Sequence, residues 1–177
     1  MKNKIKIKKI ISQARIKRRI RDLSEQISKD YAGRELILVG ILKGSFVFLS
    51  DLMRDLKVDH QVDFISVASY GSATKASGIV RMLKDLSINI QDKEVLIVED
   101  VIDSGLTLSY IVKNLLTRQP KSLNMVALLD KKKKRKALIP LKYVGFEIPD
   151  EFVVGYGLDF NERFRNLPFI AKLEGRR

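Results

Sequence analysis

The chain has 177 residues, 45% of them hydrophobic, with no cysteine and a formal net charge of +13. That length suits one domain with a full core and is short for two. The composition excludes a disordered chain, a disulfide framework and thiolate metal sites, and no apolar run approaches the roughly 20 residues of a membrane-spanning helix.

The positive field favours anionic ligands, which leaves phosphorylated small molecules and nucleic acid both open. Met1 to Ile10 is basic and has neither an apolar core nor a small-residue cleavage site behind it, so a cytoplasmic protein is expected. The same ten residues alternate Lys and Ile and read as a short edge strand or a mobile arm.

Ile16, Ile20, Leu23 and Ile27 recur at helical spacing and predict an amphipathic helix. Leu36 to Leu42 is a continuous apolar run, the pattern of a buried strand, followed by Lys43, Gly44 and Ser45 and a second helix through Phe46, Phe48, Leu49 and Leu52. A strand, a small-residue turn and a helix can form an anion pocket. A glycine that only makes a tight turn reads equally well.

His60, the single histidine, reads as a loop residue. Val62 to Val67 predicts a third strand, and Ser69 to Gly78, small and polar with two glycines, predicts a loop that serves as a lid or a connection. Val80 to Leu83 reads as the strand returning from it.

Val95 to Val98 has the uninterrupted apolar pattern of a central parallel strand. Three carboxylates follow, Glu99, Asp100 and Asp103, then Ser104, Gly105 and Thr107, then the helical face Leu108, Ile111, Val112 and Leu115. The stretch reads as strand, acidic turn and helix, and in an open α/β sheet ligands bind at that strand end. Backbone N–H groups and two hydroxyls at a helix N-terminus suit phosphate, and Gly105 permits close approach. Glu99 and Asp100 can accept from vicinal hydroxyls, so a sugar phosphate fits. An ordinary N-cap with solvated acids is the alternative. No Walker order is present, and a single glycine does not make a dinucleotide fingerprint.

Leu123 to Leu129 predicts a strand ending at Asp130 and Lys131. Lys131 to Lys136 is the densest basic run and reads as a solvated loop; it holds no aromatic for base stacking. Val144 to Asp159 is rich in aromatics and glycine and too irregular for a long helix. On local grounds Phe152 reads as core, with a flat face offered to a ring as its other use. No repeats appear, so one main domain with a small subdomain from both chain ends is expected.

Val95 to Thr107 resembles the phosphoribosyl-pyrophosphate signature of the type I phosphoribosyltransferases, and Glu-Asp-Val-Ile-Asp-Ser-Gly is similar to the form in the hypoxanthine-guanine branch. The resemblance runs over about residues 10 to 173 and rests on four stretches in order. It implies the α/β type I phosphoribosyltransferase fold, a central mostly parallel sheet flanked by helices, in a single domain. The core would be about 34–140, with a small hood from the N-terminal segment and about 141–177.

The resemblance implies a pyrophosphate loop at Leu42, Lys43 and Gly44, with a bond before the lysine that is often cis, and Arg165 as a further contact. It implies a lid beginning at Ser69 and Tyr70, ribose contacts from Glu99 and Asp100, and a 5′-phosphate cradle at Asp103, Ser104, Gly105, Leu106 and Thr107. Lys131, Phe152, Val153 and Asp159 would bind the purine, Lys131 selecting a 6-oxo group over the amino group of adenine. Asp103 would serve as general acid/base at N7, and Glu99, Asp100 and Asp159 would hold Mg²⁺.

The implied reaction is purine salvage. A 5-phosphoribosyl group passes from phosphoribosyl pyrophosphate to N9 of hypoxanthine or guanine, giving IMP or GMP and pyrophosphate. A homodimer or homotetramer without membrane or nucleic-acid partners is implied. Two alternatives stand beside it: an RNA-binding regulator with the same fold, and a xanthine-preferring enzyme.

Overall fold

The computed structural model describes residues 6–70 and 79–174. In chain order the elements are β1 (Lys6–Ile11), α1 (Gln13–Asp30), β2 (Leu36–Leu42), α2 (Phe46–Asp55), β3 (His60–Tyr70) and β4 (Ile79–Lys84). They continue with β5 (Glu94–Ile102), α3 (Leu106–Leu116), β6 (Ser122–Asp130), β7 (Leu141–Glu147), β8 (Val153–Val154) and β9 (Ile170–Glu174). No helix among the described residues is long and apolar enough to cross a membrane.

A six-stranded sheet in the order β4-β3-β2-β5-β6-β7 forms the centre. Its strands are parallel except β4, which returns antiparallel along β3. Strand side chains alternate between faces, so each buried strand feeds two apolar layers. Leu36, Leu38, Leu96 and Val98 pack with Ile16, Ile20, Leu23 and Ile27 of α1 and with Phe48, Leu49 and Leu52 of α2. Ile37, Val39, Val95 and Ile97 pack with Leu108, Ile111, Val112 and Leu115 of α3 on the other face. The helical faces read from spacing are the ones buried.

β1, β9 and β8 form a separate antiparallel sheet with β1 at its edge, so the Lys/Ile alternation from residue 6 onward is an edge strand. Ser12 caps α1 by accepting from the Arg15 N–H at 3.4 Å.

Four expectations change. β5 runs to Ile102, so Glu99 and Asp100 lie within a strand rather than in a turn; pairing with β6 holds the backbone extended despite two polar residues. β3 reaches Tyr70, so the backbone of Ser69 and Tyr70 belongs to a strand paired with β4, and residues 71–78 of the expected loop lie outside the described residues. His60 opens β3 instead of sitting in a loop, its Nδ1 2.8 Å from the Val58 carbonyl oxygen. Phe152 is 44% exposed rather than core, and meets Phe160 edge-on with centroids 5.9 Å apart.

Because β2, β3, β5, β6 and β7 are parallel, their carboxyl ends share one edge of the sheet. The segments after β2, β5, β6 and β7 therefore converge there.

Candidate active site

The turn after β5 builds the floor of this edge. Gly105 takes φ 77° as the N-cap of α3, and no side chain caps the helix. Glycine is the residue that adopts this left-handed backbone freely. The Leu106 N–H approaches Ser104 Oγ at 3.4 Å. Neither Asp103 nor Ser104 is thus an ordinary helix cap. A cleft of about 270 Å³ opens over this helix end, lined by Ile41, Val67, Glu99, Val101, Asp103, Ser104, Gly105, Thr107 and Leu108. Leu106 points out and is 55% exposed.

Strand alternation separates the two adjacent acids. Glu99 lines the cleft with Asp103 and Thr107, while Asp100 is set against the loop after β2. A Cβ on Gly44 would overlap the Asp100 carboxylate, so Gly44 is demanded by close approach and does more than turn the chain. Burial pushes Asp100 up to about 6, against the Val101 N–H that it accepts at 2.8 Å. Burial raises Glu99 well above the usual carboxylate range, with the Asp100 charge as a second cause, and its Oε2 is buried with no hydrogen-bond partner among the described residues.

The loop after β2 carries a cis bond between Leu42 and Lys43. Ser45 Oγ donates to the Ile41 carbonyl at 2.6 Å and closes the turn. Lys43 extends outward, its Nζ 3.0 Å from Glu162 Oε1. Arg165 reaches the same carboxylate at 3.0 Å, pairs with Asp159 at 3.0 Å, and donates to the Gly157 carbonyl at 2.8 Å. Gly157, at φ 98°, lies so close to the Gly44 carbonyl oxygen that a Cβ would overlap it. Tyr156, beside it, is buried and donates from its hydroxyl to Asp51 of α2. The loop of residues 155–165 is thereby seated directly on the loop after β2.

At the end of β6, Lys131 is buried and its Nζ lies 3.9 Å from Asp103 Oδ1 and 3.3 Å from Asp150 Oδ1. The basic run is not a free solvated loop. Lys132 pairs with Glu147 at 3.2 Å, Lys134 with Asp103 at 3.0 Å, and Arg135 with Asp130 at 3.7 Å. The Lys136 N–H donates to the Ser104 carbonyl at 2.9 Å and packs the run onto the turn after β5. Val153 is buried beside exposed Phe152.

Spacing does not single out Lys134, Asp150, Glu162 or Tyr156. The contacts Lys134–Asp150, Tyr156–Asp51 and Glu162–Lys43 span between 16 and 119 positions, so only the folded chain makes them.

No cluster of three or more His, Cys, Asp or Glu side chains that could cage a metal occurs among the described residues. The adjacent pair Glu99 and Asp100, one with a buried oxygen that no donor meets, suits a cation that uses one or two carboxylates, keeps waters and takes the rest of its ligands from phosphates. That is the habit of Mg²⁺.

Residues 7–161 match the phosphoribosyl transferase domain family. The hypoxanthine phosphoribosyltransferase of Escherichia coli K12 is 48% identical over 175 residues, covering 98% of this chain and 97% of that protein. The hypoxanthine-guanine phosphoribosyltransferase of Mycobacterium tuberculosis is 48% identical, covering 94% of this chain and 86% of its own. Among solved structures, the hypoxanthine-guanine phosphoribosyltransferase of Bacillus anthracis superposes with TM-score 0.90 at 47% identity, covering 96% of this chain and 99% of that one. The hypoxanthine phosphoribosyltransferase of Staphylococcus aureus gives TM-score 0.91 at 46% identity over 94% and 91% of the two chains. With the sheet order, the acidic strand end and the helix-start cradle described above, these likenesses place the chain in the hypoxanthine-guanine phosphoribosyltransferase family.

Proposed function

We propose that the protein salvages purines by moving a 5-phosphoribosyl group from phosphoribosyl pyrophosphate to N9 of hypoxanthine or guanine. The products are IMP or GMP and pyrophosphate. The observation that carries this reading is the cleft itself. It joins a helix-start anion cradle to a carboxylate with a buried oxygen that meets no hydrogen-bond donor among the described residues, and the buried Lys131 stands 3.9 Å from Asp103 in its lining.

The bond from C1 of the ribose to the pyrophosphate oxygen breaks, the electron pair leaves with pyrophosphate, and N9 closes on C1 through an oxocarbenium-like state. Asp103, which lines the cleft, takes up the N7 proton. Ser104 to Thr107 receive the 5′-phosphate through backbone N–H groups, Gly105 leaving room for it. Glu99 and Asp100 hold the ribose hydroxyls. Lys43 and Arg165 face the departing pyrophosphate, and Lys131 donates to the 6-oxo group while Phe152 covers the ring and the Val153 backbone reads its edge. A lid that starts at Ser69 and Tyr70 excludes water from the cation. Glu99, Asp100 and Asp159 would hold Mg²⁺ on the protein side, and the ion would supply neutralising charge for the leaving pyrophosphate.

In this reading the chain is one domain, with a core that takes in α1 and β7 beyond the expected bounds of about 34–140, and a hood framed by the three-stranded sheet and the loops after β7. An oligomer, dimer or tetramer, belongs to it: Phe46, 44% exposed beside the pyrophosphate loop, supplies an apolar contact. A charged sugar phosphate that does not cross membranes fits a cytoplasmic setting. An RNA-binding role is disfavoured because the densest basic run pairs mostly with the protein's own carboxylates.

The test is nucleotide formation from phosphoribosyl pyrophosphate and Mg²⁺ with hypoxanthine, guanine, xanthine and adenine. Turnover with hypoxanthine or guanine and none with adenine is expected. Conversion of xanthine alone would favour the xanthine-preferring alternative, and conversion of no base would overturn the reading.

A further inference from the structure

The basic run sets a second lysine against Asp103 of the cleft, and the reaction above does not use it. Lys134 Nζ lies 3.0 Å from Asp103 Oδ1 and Oδ2, donating its hydrogen bond to Oδ2, and 3.1 Å from Asp150 Oδ1. Asp103 Oδ1 is buried and receives no hydrogen bond among the described residues. The ammonium is thus equidistant from both carboxylate oxygens and donates its hydrogen bond to one of them.

The turn that carries Lys134 is fixed. Its N–H donates to the Lys131 carbonyl at 2.8 Å, and the Lys136 and Ala137 N–H groups donate to the Ser104 carbonyl at 2.9 and 3.2 Å. The side chain therefore reaches Asp103 from an anchored backbone. Lys131 shares both acids, at 3.9 Å from Asp103 and 3.3 Å from Asp150. When Lys131 turns to the 6-oxo group of a purine, its charge is drawn away from Asp103, and Lys134 is the cation that stays.

The other charged groups around Asp103 do not replace it. Glu99, on β5, lines the same cleft and is acidic; Arg135, on the same turn, pairs with Asp130 at 3.7 Å; Asp150, from the loop after β7, lies behind the two lysines. Hydrogen bonds to Asp103 and then Asp150 raise Lys134 above the ordinary lysine value, so it stays cationic.

We propose that Lys134 is a positioning residue for the transfer: its ammonium, 3.0 Å from both Asp103 oxygens, orients that carboxylate toward the purine ring nitrogen and stays beside it once Lys131 is engaged by substrate. The inference rests on the reading of Asp103 as the acceptor of the ring proton. The division of labour is between a buried lysine that reads the base and a half-exposed lysine that sets the acid.

The experiment compares wild type, Lys134→Met, Lys134→Arg, Lys133→Met and Asp103→Asn by steady-state kinetics with hypoxanthine and phosphoribosyl pyrophosphate, over pH 5 to 9. Lys134→Met is expected to lose about tenfold in kcat with both KM values within about twofold of wild type. Its acid limb should move up by roughly one pH unit, because loss of the neighbouring cation favours the protonated carboxyl. Lys134→Arg restores the limb and most of the turnover. Lys133→Met removes the same charge from an exposed neighbour and stays at wild-type values. Lys134→Met with wild-type kcat and an unmoved acid limb overturns the inference, as does a loss confined to KM at every pH. If Asp103→Asn itself retains full turnover, the assignment of Asp103 fails and the role of Lys134 with it. An inactive Asp103→Asn beside an unaltered Lys134→Met overturns the lysine's role alone.

Discussion

Asp63 on β3 and the Glu99–Asp100 pair on β5 lie two strands apart in one sheet, and the fold supplies them very differently. Asp63 accepts from the Phe64, Ser87 and Ile88 N–H groups at 2.7, 2.6 and 3.0 Å and from Lys84 Nζ at 3.1 Å. Burial pushes its carboxyl up, but those donors outweigh it and leave it below the usual range. Asp100 accepts from Val101, Glu99 Oε2 accepts from nothing described, and burial leaves both raised. A buried acid that serves the fold comes with its donors. One whose donors are missing is set for groups that arrive with a ligand, and the fold pays for it in stability.

Among variants that probe this contrast, the largest effect should come from crowding the under-supplied site. Gly44→Ala places a methyl on the Asp100 carboxylate and shifts the loop or the acid; turnover should fall about 100-fold, since a misplacement near 1 Å has that scale. A crystal structure of the variant with unmoved Asp100 and full activity would break the comparison.

Asp63→Ala strips the well-supplied site, leaving three N–H groups and Lys84 without their acceptor. A loss of about 2 kcal/mol is expected, read as a fall of roughly 4–8 °C in Tm, with kcat preserved in the surviving folded protein.

Asp100→Asn should do the reverse, raising Tm by roughly 2–4 °C at pH 7 in the absence of Mg²⁺ while turnover drops. A carboxyl raised in the folded state opposes folding once the unfolded chain ionises. Wild-type stability should therefore decline as pH rises from about 4 through 6, and the gain from Asp100→Asn should vanish below that window. Asp63 behaves oppositely, its stabilisation present near neutral pH and lost as pH falls below the ordinary aspartate value. Melting curves across pH for the two variants separate the cases.

The smallest effect is expected at Glu162, which bridges Lys43 and Arg165 where a pyrophosphate would lie. Glu162→Gln should lower the KM for phosphoribosyl pyrophosphate about twofold to threefold, because exposed ion pairs are worth little. Kinetics at fixed hypoxanthine measure it.

Much of this architecture is written locally. The continuous apolar run Leu36 to Leu42 coincides with β2, and the spacing of Leu108, Ile111, Val112 and Leu115 marks the buried face of α3. Both signals are periodic and short-range. Where β5 ends is not: Glu99 and Asp100 look like a turn because polar residues usually leave a buried strand, and only pairing with β6 keeps them extended. The fate of the basic run is equally hidden. Lys134 and Lys133 are chemically identical in sequence, and the 31 positions separating Lys134 from Asp103 close only when β5 and β6 lie side by side. Phe152 read as core because large aromatics usually are, yet its place beyond the parallel strand ends leaves it half open.

The most direct test is Asp103→Asn, with turnover of hypoxanthine and binding of phosphoribosyl pyrophosphate measured on the same preparation. A loss of about 10²-fold to 10⁴-fold in kcat is expected with affinity changed only a few-fold, since the acceptor oxygen is lost while the cradle at Ser104 to Thr107 remains. Wild-type turnover in that variant would contradict it.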